Sequence, residues 1–350
     1  MKVQHGGDWV GFQARYGHPP LDFSANISPL GLPEGVRQAA IAALEEADRY
    51  PDPHCRALRA KLGERHRLNP EYILCGNGAA DLIFRLALAK RPRRVLVTAP
   101  TFGEYERALE LVGCRVEHFV LTGGEDFQVT DKLLERITPG LDLLILCEPN
   151  NPTGQVTPRP LLLEILERCA RTGTLLTVDE CFNDFLSDPE GHSLIGEIPA
   201  HQNLLIFRAF TKCYAMAGLR LGYALCGDTA LLGEMARQGQ AWPVSCVAQR
   251  AGLAALEEEG YLEKLRAFIG RERPRLQKGL EALGCRVVPG QANYLLFQSP
   301  VPRLEELLGE RGIAIRPCGD FPGLDGSWYR VCVRAGADNE KLLEAMREVM

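Results

Sequence analysis

Lys212 closes an apolar run in the segment FRAFTKCYAMAGLRLGY, residues 207–223, and Arg220 follows eight positions later. A lysine amine forms a Schiff base with a carbonyl when it is available unprotonated, and a desolvated place beside other cations lowers its pKa toward that state. Arg220, permanently charged, suits a phosphate dianion. By themselves a lysine and an arginine at this spacing are more often surface charges. Upstream, LCGNGAADLIF (74–84) reads as a strand, a Gly-rich turn and a helix start, which aims free backbone N–H groups at an anion. A glycine turn before a helix is also commonly just a turn. TVDECFNDF (177–185) carries an acidic pair at the end of an apolar strand, where Asp179 is equally readable as a helix N-cap. CEPNNPTG (147–154), with Asn151, is on its own a Pro-Gly turn, and Tyr105 of PTFGEY and Tyr50 of DRYPDP are on their own packing aromatics.

The elements that must position these residues show in the periodicity. From about Glu71 to Gly227 the apolar runs YILC, RVLVTA, LDLLILCEP, TLLTVDE, NLLIFRAF and LRLGYALCG alternate with helix-like stretches. That alternation marks a mostly parallel, helix-covered sheet, whose ligand chemistry gathers at the carboxyl ends of the strands. Past Asp228 the texture changes to long helical patterns, then to short strands at CRVV, NYLLF, IAIRP and YRVCVR, with a closing helix from about Asn339. This suggests a separate α+β domain. The first 30 residues are rich in Gly, Pro and Asn and read as an irregular arm. The expected division is an arm at 1–30, a large domain at 31–235 and a small domain at 236–350.

Composition bounds the function class. The 350 residues are 46% hydrophobic and 24% charged with a formal net charge of -5, an ordinary globular make-up with enough chain for two domains. No long run of one charge sign occurs, so neither a nucleic-acid nor a membrane-surface partner is expected, and small-molecule chemistry is the default. The 12 cysteines are scattered singly through apolar stretches without any CxxC pair, which reads as buried free thiols in a reducing, cytoplasmic setting rather than as disulfides or a metal site. The segment MKVQHGGDWVGFQARYG lacks an apolar core of signal-peptide length, and no later run reaches the ~20 apolar residues of a membrane span. The chain is therefore expected to be neither exported nor inserted.

The order of the blocks GNG, PTF..Y, NNPTG, DE, TK...LR, ANYL and a C-terminal arginine strand resembles that of the fold-type I pyridoxal-phosphate (PLP) enzymes of the aspartate-aminotransferase superfamily, over essentially the whole chain. The resemblance implies an α/β large domain with a mostly parallel seven-stranded sheet and a smaller α+β C-terminal domain. It implies that Lys212 holds PLP as a Schiff base, that Arg220, Thr211 and the amides of Ala79 and Ala80 hold its phosphate, and that Asp179 pairs with the protonated pyridine nitrogen and keeps the ring an electron sink. It further implies that Asn151 bonds the ring hydroxyl oxygen, that Tyr105 stacks on the ring, and that Tyr50 reaches the phosphate of a neighbouring subunit in a homodimer. One departure stands out: the position three before the lysine, often Ser or Thr in the family, is Ala209 here.

PLP enzymes differ in which bond at the substrate α-carbon stands perpendicular to the ring, and the protein chooses by gripping the substrate's other groups. General relatives look like histidinol-phosphate aminotransferases. The blocks HGGD (5–8), LDFSANISPLGLP (21–33), RYPDP and IAIRPCGDFPGLDGSWYRVCVR (313–334) more closely resemble the threonine-phosphate decarboxylases of cobalamin biosynthesis. Phe182 stands where transaminases commonly have Tyr, and the tail holds three arginines, Arg316, Arg330 and Arg334, where one suffices for an α-carboxylate. A second anionic group on the substrate explains the surplus, although surface salt bridges explain any one of them as well. The expected grip is Arg330 on the carboxylate, with Arg334, His5 and Asn26 on the phosphate, His5 and Asn26 lying on an arm that folds over the site. The implied reaction is PLP-dependent decarboxylation of L-threonine O-3-phosphate to (R)-1-amino-2-propanol O-2-phosphate, with a histidinol-phosphate-type aminotransferase as the alternative.

Overall fold

The computed structural model describes residues 5–350, so the first four residues of the expected arm lie outside the described residues. The arm is not irregular throughout. Trp9–Tyr16 form a helix because the Asp8 side chain accepts the Gly11 N–H at 2.9 Å and Gly17, at φ 82°, closes the far end in the left-handed region. No residue of this helix is buried, so it shows no apolar face in the sequence. Side-chain bonds tie it down instead: Trp9 Nε1 donates to Asp22 Oδ2 at 2.8 Å, and Arg15 pairs with Glu306 at 3.2 Å. Strand β1 (Leu21–Asp22) follows.

The large sheet contains β2 (Ile73–Gly76), β3 (Arg94–Ala99), β4 (Arg115–Val120), β5 (Leu143–Cys147), β6 (Leu175–Asp179), β7 (Leu204–Ala209) and β8 (Gly222–Cys226). Its seven strands lie in the order β2-β8-β7-β6-β5-β3-β4, and only β8 runs antiparallel to its neighbours. Every residue of β5, β6 and β7 is buried, which is why their sequences are continuous apolar runs. Successive side chains enter opposite faces: Leu144 and Leu146 join one hydrophobic cluster, Leu143 and Ile145 the other. Helices Arg56–His66, Arg159–Thr172 and Tyr261–Ala282 cover the first face, and Gly78–Lys90, Glu104–Glu110 and Thr229–Arg237 the second.

The second sheet is built later in the chain, from β9 (Arg286–Val287), β10 (Tyr294–Gln298), β12 (Arg316–Pro317) and β13 (Trp328–Cys332), in the antiparallel order β12-β13-β10-β9. The intervening β11 (Ile313–Ala314) pairs in parallel with β1, which fastens the arm to this part of the molecule. Leu276 and Leu280 of helix Tyr261–Ala282 and Leu342, Leu343 and Met346 of helix Gly336–Val349 share its core. Helix Cys246–Glu257, although beyond residue 235, packs against helices Glu34–Ala42 and Arg56–His66. All 12 cysteines are free thiols, and among the described residues no helix is long and apolar enough to cross a membrane.

Candidate active site

The carboxyl ends of β3, β5, β6 and β7 border a cavity of about 370 Å³. Because β8 runs the other way, its first residue, Gly222, comes to lie beside Gly76 and Ala209 on the same edge. Lys212 sits in the one-turn helix Phe210–Cys213 that continues β7, and it lines the cavity with Thr211 and Ala209. Its amine is pushed down to about 8, first by burial and then by the Arg330 cation, with Arg220 adding to the effect. Lys212 Nζ lies 5.9 Å from the centroid of the Phe182 ring. Behind it Arg208 of β7 pairs with Glu180 and Asp184, each at 3.2 Å, so the second member of the acidic pair serves the scaffold rather than the cavity.

Asp179 ends β6 and is aimed into the cavity by a donor on each oxygen. The Tyr105 hydroxyl donates to Oδ2 at 2.7 Å and the Cys181 N–H to Oδ1 at 3.0 Å. Tyr105 is 1% exposed, and Phe102, its edge-on neighbour at 5.5 Å, also lines the cavity. Helix Gly78–Lys90 opens toward the same space with Ala79 and Ala80. A Cβ on Gly222 would lie 2.5 Å from the Ala79 nitrogen, and one on Gly78, at φ 80°, would lie 2.8 Å from Arg220 Nη2. Two missing side chains therefore let a helix N-terminus and a guanidinium converge, which makes an anion cradle. Cradle, carboxylate and depressed amine suit the phosphate, ring nitrogen and aldehyde of PLP, so the residues fit that group.

Two arginines also line the cavity. Arg316 of β12 and Arg330 of β13 are register partners, 4% and 6% exposed, and both line the cavity. Arg330 donates to the Ser24 carbonyl at 2.8 Å through Nη2 and to Asn151 Oδ1 through Nη1. Its Nε has no partner, and no carboxylate pairs with it among the described residues. Burial pushes its pKa down, with the Arg316 charge adding to the effect. Arg316 pairs with Asp320 at 2.7 Å. Asn26, 2% exposed, borders the cavity with its Oδ1 unpartnered, and His5 stands there with Nε2 2.9 Å from Glu104 Oε1.

Two expected residues stand elsewhere. Tyr50 is 78% exposed and stacks on Trp242 at 4.1 Å, in an adjoining groove that it shares with Arg220. Arg334 is not brought to the cavity, which corrects its expected place on the substrate phosphate. Strand β13 ends at Cys332, so the alternation that aims Arg330 inward does not extend to Arg334. Its guanidinium instead meets Asp338 at 3.1 Å and the Asp22 carbonyl at 3.1 Å. Phe102, Glu104 and Asp320, which the sequence reading passed over, line the cavity. The first two lie inside the PTFGEY block, and Asp320 follows Arg316 by four positions, which was the available signal.

Comparison with known proteins agrees with this arrangement. Residues 18–349 match the family of class I and II aminotransferases. A threonine-phosphate decarboxylase of Salmonella typhimurium is 40% identical over 94% of this chain and 91% of that protein. Among solved structures, the histidinol-phosphate aminotransferase from Clostridium acetobutylicum superposes with a TM-score of 0.87 at 28% identity, covering 93% of this chain and 98% of that one. The L-threonine-O-3-phosphate decarboxylase from Porphyromonas gingivalis does so with a TM-score of 0.83 at 25% identity, covering 93% and 98%. With the family match and the superpositions extending over nearly its whole length, the chain belongs to the family of class I and II aminotransferases.

Proposed function

We propose that this chain is a PLP-dependent carboxy-lyase that converts L-threonine O-3-phosphate to (R)-1-amino-2-propanol O-2-phosphate, the reaction named for its Salmonella relative and placed in cobalamin biosynthesis by the resemblance. The observation that carries the substrate class is the pair Arg316 and Arg330, buried side by side and lining the cavity that Lys212 also lines. A buried cation is costly unless an anion meets it: Arg316 already has Asp320, Arg330 meets only neutral oxygens, and a substrate carboxylate supplies the missing charge while a phosphate beside it reaches Arg316.

In this reading Lys212, Asp179, Asn151, Tyr105, Thr211, Arg220 and the Ala79 and Ala80 amides hold PLP. When bound, PLP supplies an aldehyde that condenses with amines and a ring that accepts electrons from the α-carbon. Arg330 takes the substrate carboxylate, and Arg316, Asn26 and His5 take the phosphate, which replaces Arg334 in that role. Gripping the substrate by both of its anionic groups fixes its orientation, and with PLP bound that orientation would favour loss of the carboxylate over loss of the α-proton. Lys212 Nζ, brought to about 8, would hold and deliver the proton that takes the place of the carboxylate on the α-carbon. The arm at 1–30 excludes water over the cavity, 31–235 binds the cofactor, and 236–350 carries the arginines. A homodimer in the cytoplasm, with Tyr50 lent to the neighbouring site, completes the proposal.

The test is to incubate the PLP-loaded protein with threonine phosphate and follow carbon dioxide release against 2-oxoglutarate consumption. Stoichiometric carbon dioxide without 2-oxoglutarate use supports the decarboxylase. Amino-group exchange without carbon dioxide replaces it with the aminotransferase.

A further inference from the structure

Glu104 is an unexpected neighbour for an anion. The residue is 6% exposed and borders the same cavity as Arg316, Arg330 and Asn26. An uncompensated carboxylate there would repel a phosphate. Two basic side chains meet it. Arg107, three residues on and largely exposed, lies 3.3 Å from Oε1 and 3.4 Å from Oε2. The other is His5, whose Nε2 lies 2.9 Å from Oε1 and which comes from 99 positions earlier in the chain.

The path of the arm shows how His5 arrives there. Gly6 passes so close to the Ser24 carbonyl that a Cβ would find no room, and the Gly7 N–H donates to Ser24 Oγ at 2.8 Å. Ser24 Oγ donates in turn to Asp22 Oδ1 at 2.6 Å, while the Ser24 carbonyl accepts from Arg330 Nη2 at 2.8 Å. Arg330, Ser24, the Gly6-Gly7 pair, His5 and Glu104 thus form one continuous bridge. It runs from the second sheet past the cavity to helix Glu104–Glu110 of the large sheet's cover.

We propose that Glu104 is the positioning residue for His5: it holds the ring at the cavity mouth by Nε2 and so leaves Nδ1 for the substrate phosphate. The identity of that phosphate rests on the decarboxylase reading above. The carboxylate, which alone would repel the substrate, becomes through His5 part of its recognition. Arg107 satisfies the rest of the carboxylate from the solvent side and does not line the cavity.

A double-mutant cycle with His5→Gln and Glu104→Gln tests this, read as KM and kcat for threonine phosphate and, without substrate, as hydrogen exchange over residues 5–16. Each single variant is expected to raise KM about ten-fold with kcat held within about two-fold, as for loss of one charged hydrogen bond made in ground and transition state alike. The double variant is expected to be no worse than either single one, and arm exchange to rise equally in all three. Arg107→Gln is expected to leave KM within about two-fold. A Glu104→Gln variant that lowers KM, additive losses in the double variant, or an equal loss in Arg107→Gln each overturn the proposal. If the wild type fails to decarboxylate threonine phosphate while arm exchange still follows the cycle, the substrate reading falls and the positioning of His5 by Glu104 stands.

Discussion

Arg316 and Arg330 face each other across β12 and β13, where like charges directly opposite destabilise a sheet unless something offsets them. Asp320 offsets Arg316, and only neutral oxygens meet Arg330. The pair is therefore built for a ligand rather than for stability. Arg316→Gln is expected to cost ~1.5–3 kcal/mol of transition-state binding, roughly ten- to a hundred-fold in kcat/KM for threonine phosphate. Arg334→Gln is expected to leave kcat/KM within about two-fold, since its partners are Asp338 and the Asp22 carbonyl. Steady-state kinetics on the two variants decides this, and equal losses would return the phosphate to Arg334. Arg330 also acts on Lys212. Burial, Arg330 and Arg220 bring its amine to about 8, against about 10.4 for an unperturbed lysine. Below that pH the amine is protonated and inert, and above it free. Reductive labelling of Lys212 by a small aldehyde in the cofactor-free protein should therefore rise through about pH 8. In Arg330→Met, with one cation gone, the midpoint should move up, and an unmoved midpoint would leave burial and Arg220 as the causes.

At the scale of elements, the anion cradle depends on β8 and helix Gly78–Lys90 approaching without a side chain between them. The atom that a Gly222 Cβ would meet, the Ala79 nitrogen at 2.5 Å, is backbone and cannot swing aside. Gly222→Ala must displace the helix start, and overpacking of that kind costs ~1–3 kcal/mol. PLP affinity, read by equilibrium dialysis, is expected to fall more than the melting temperature of the cofactor-free protein accounts for. A variant that melts lower yet binds PLP like the wild type would detach the helix start from phosphate binding.

For the whole molecule, the open question is how many chains make one site. Tyr50 and Trp242 are 78% and 41% exposed and stack on each other beside Arg220, an aromatic pair that a second copy would cover. Sedimentation is expected to give a homodimer. Mixing Lys212→Ala chains with Tyr50→Phe chains is expected to restore about a quarter of wild-type activity, because each mixed dimer of a two-fold assembly carries one intact site. Tyr50 also shares a groove with Arg220 of its own chain. If the mixture gains nothing over Tyr50→Phe alone, Tyr50 serves its own chain and the shared site is lost.

Much of this was legible in the residues. The continuous apolar runs of β5, β6 and β7 announced strands buried on both faces, and the carboxylate that ends β6, Asp179, and the lysine just past β7, Lys212, announced where chemistry sits. Strand β4, RVEHFV, was not among the runs read as strands, because an edge strand half open to solvent carries charged residues and lacks a continuous apolar signal. The helix Trp9–Tyr16 was hidden for a related reason, having no buried face to impose a period. The sequence by itself thus determined the chemical groups, their order and the sheet that presents them. Only the tertiary structure decided that Arg316 and Arg330 enter the cavity while Arg334 does not, and that Glu104 meets His5. Those outcomes depend on register, on where a strand stops and on an arm crossing to a distant helix, and long-range pairing of this kind leaves no trace in local spacing.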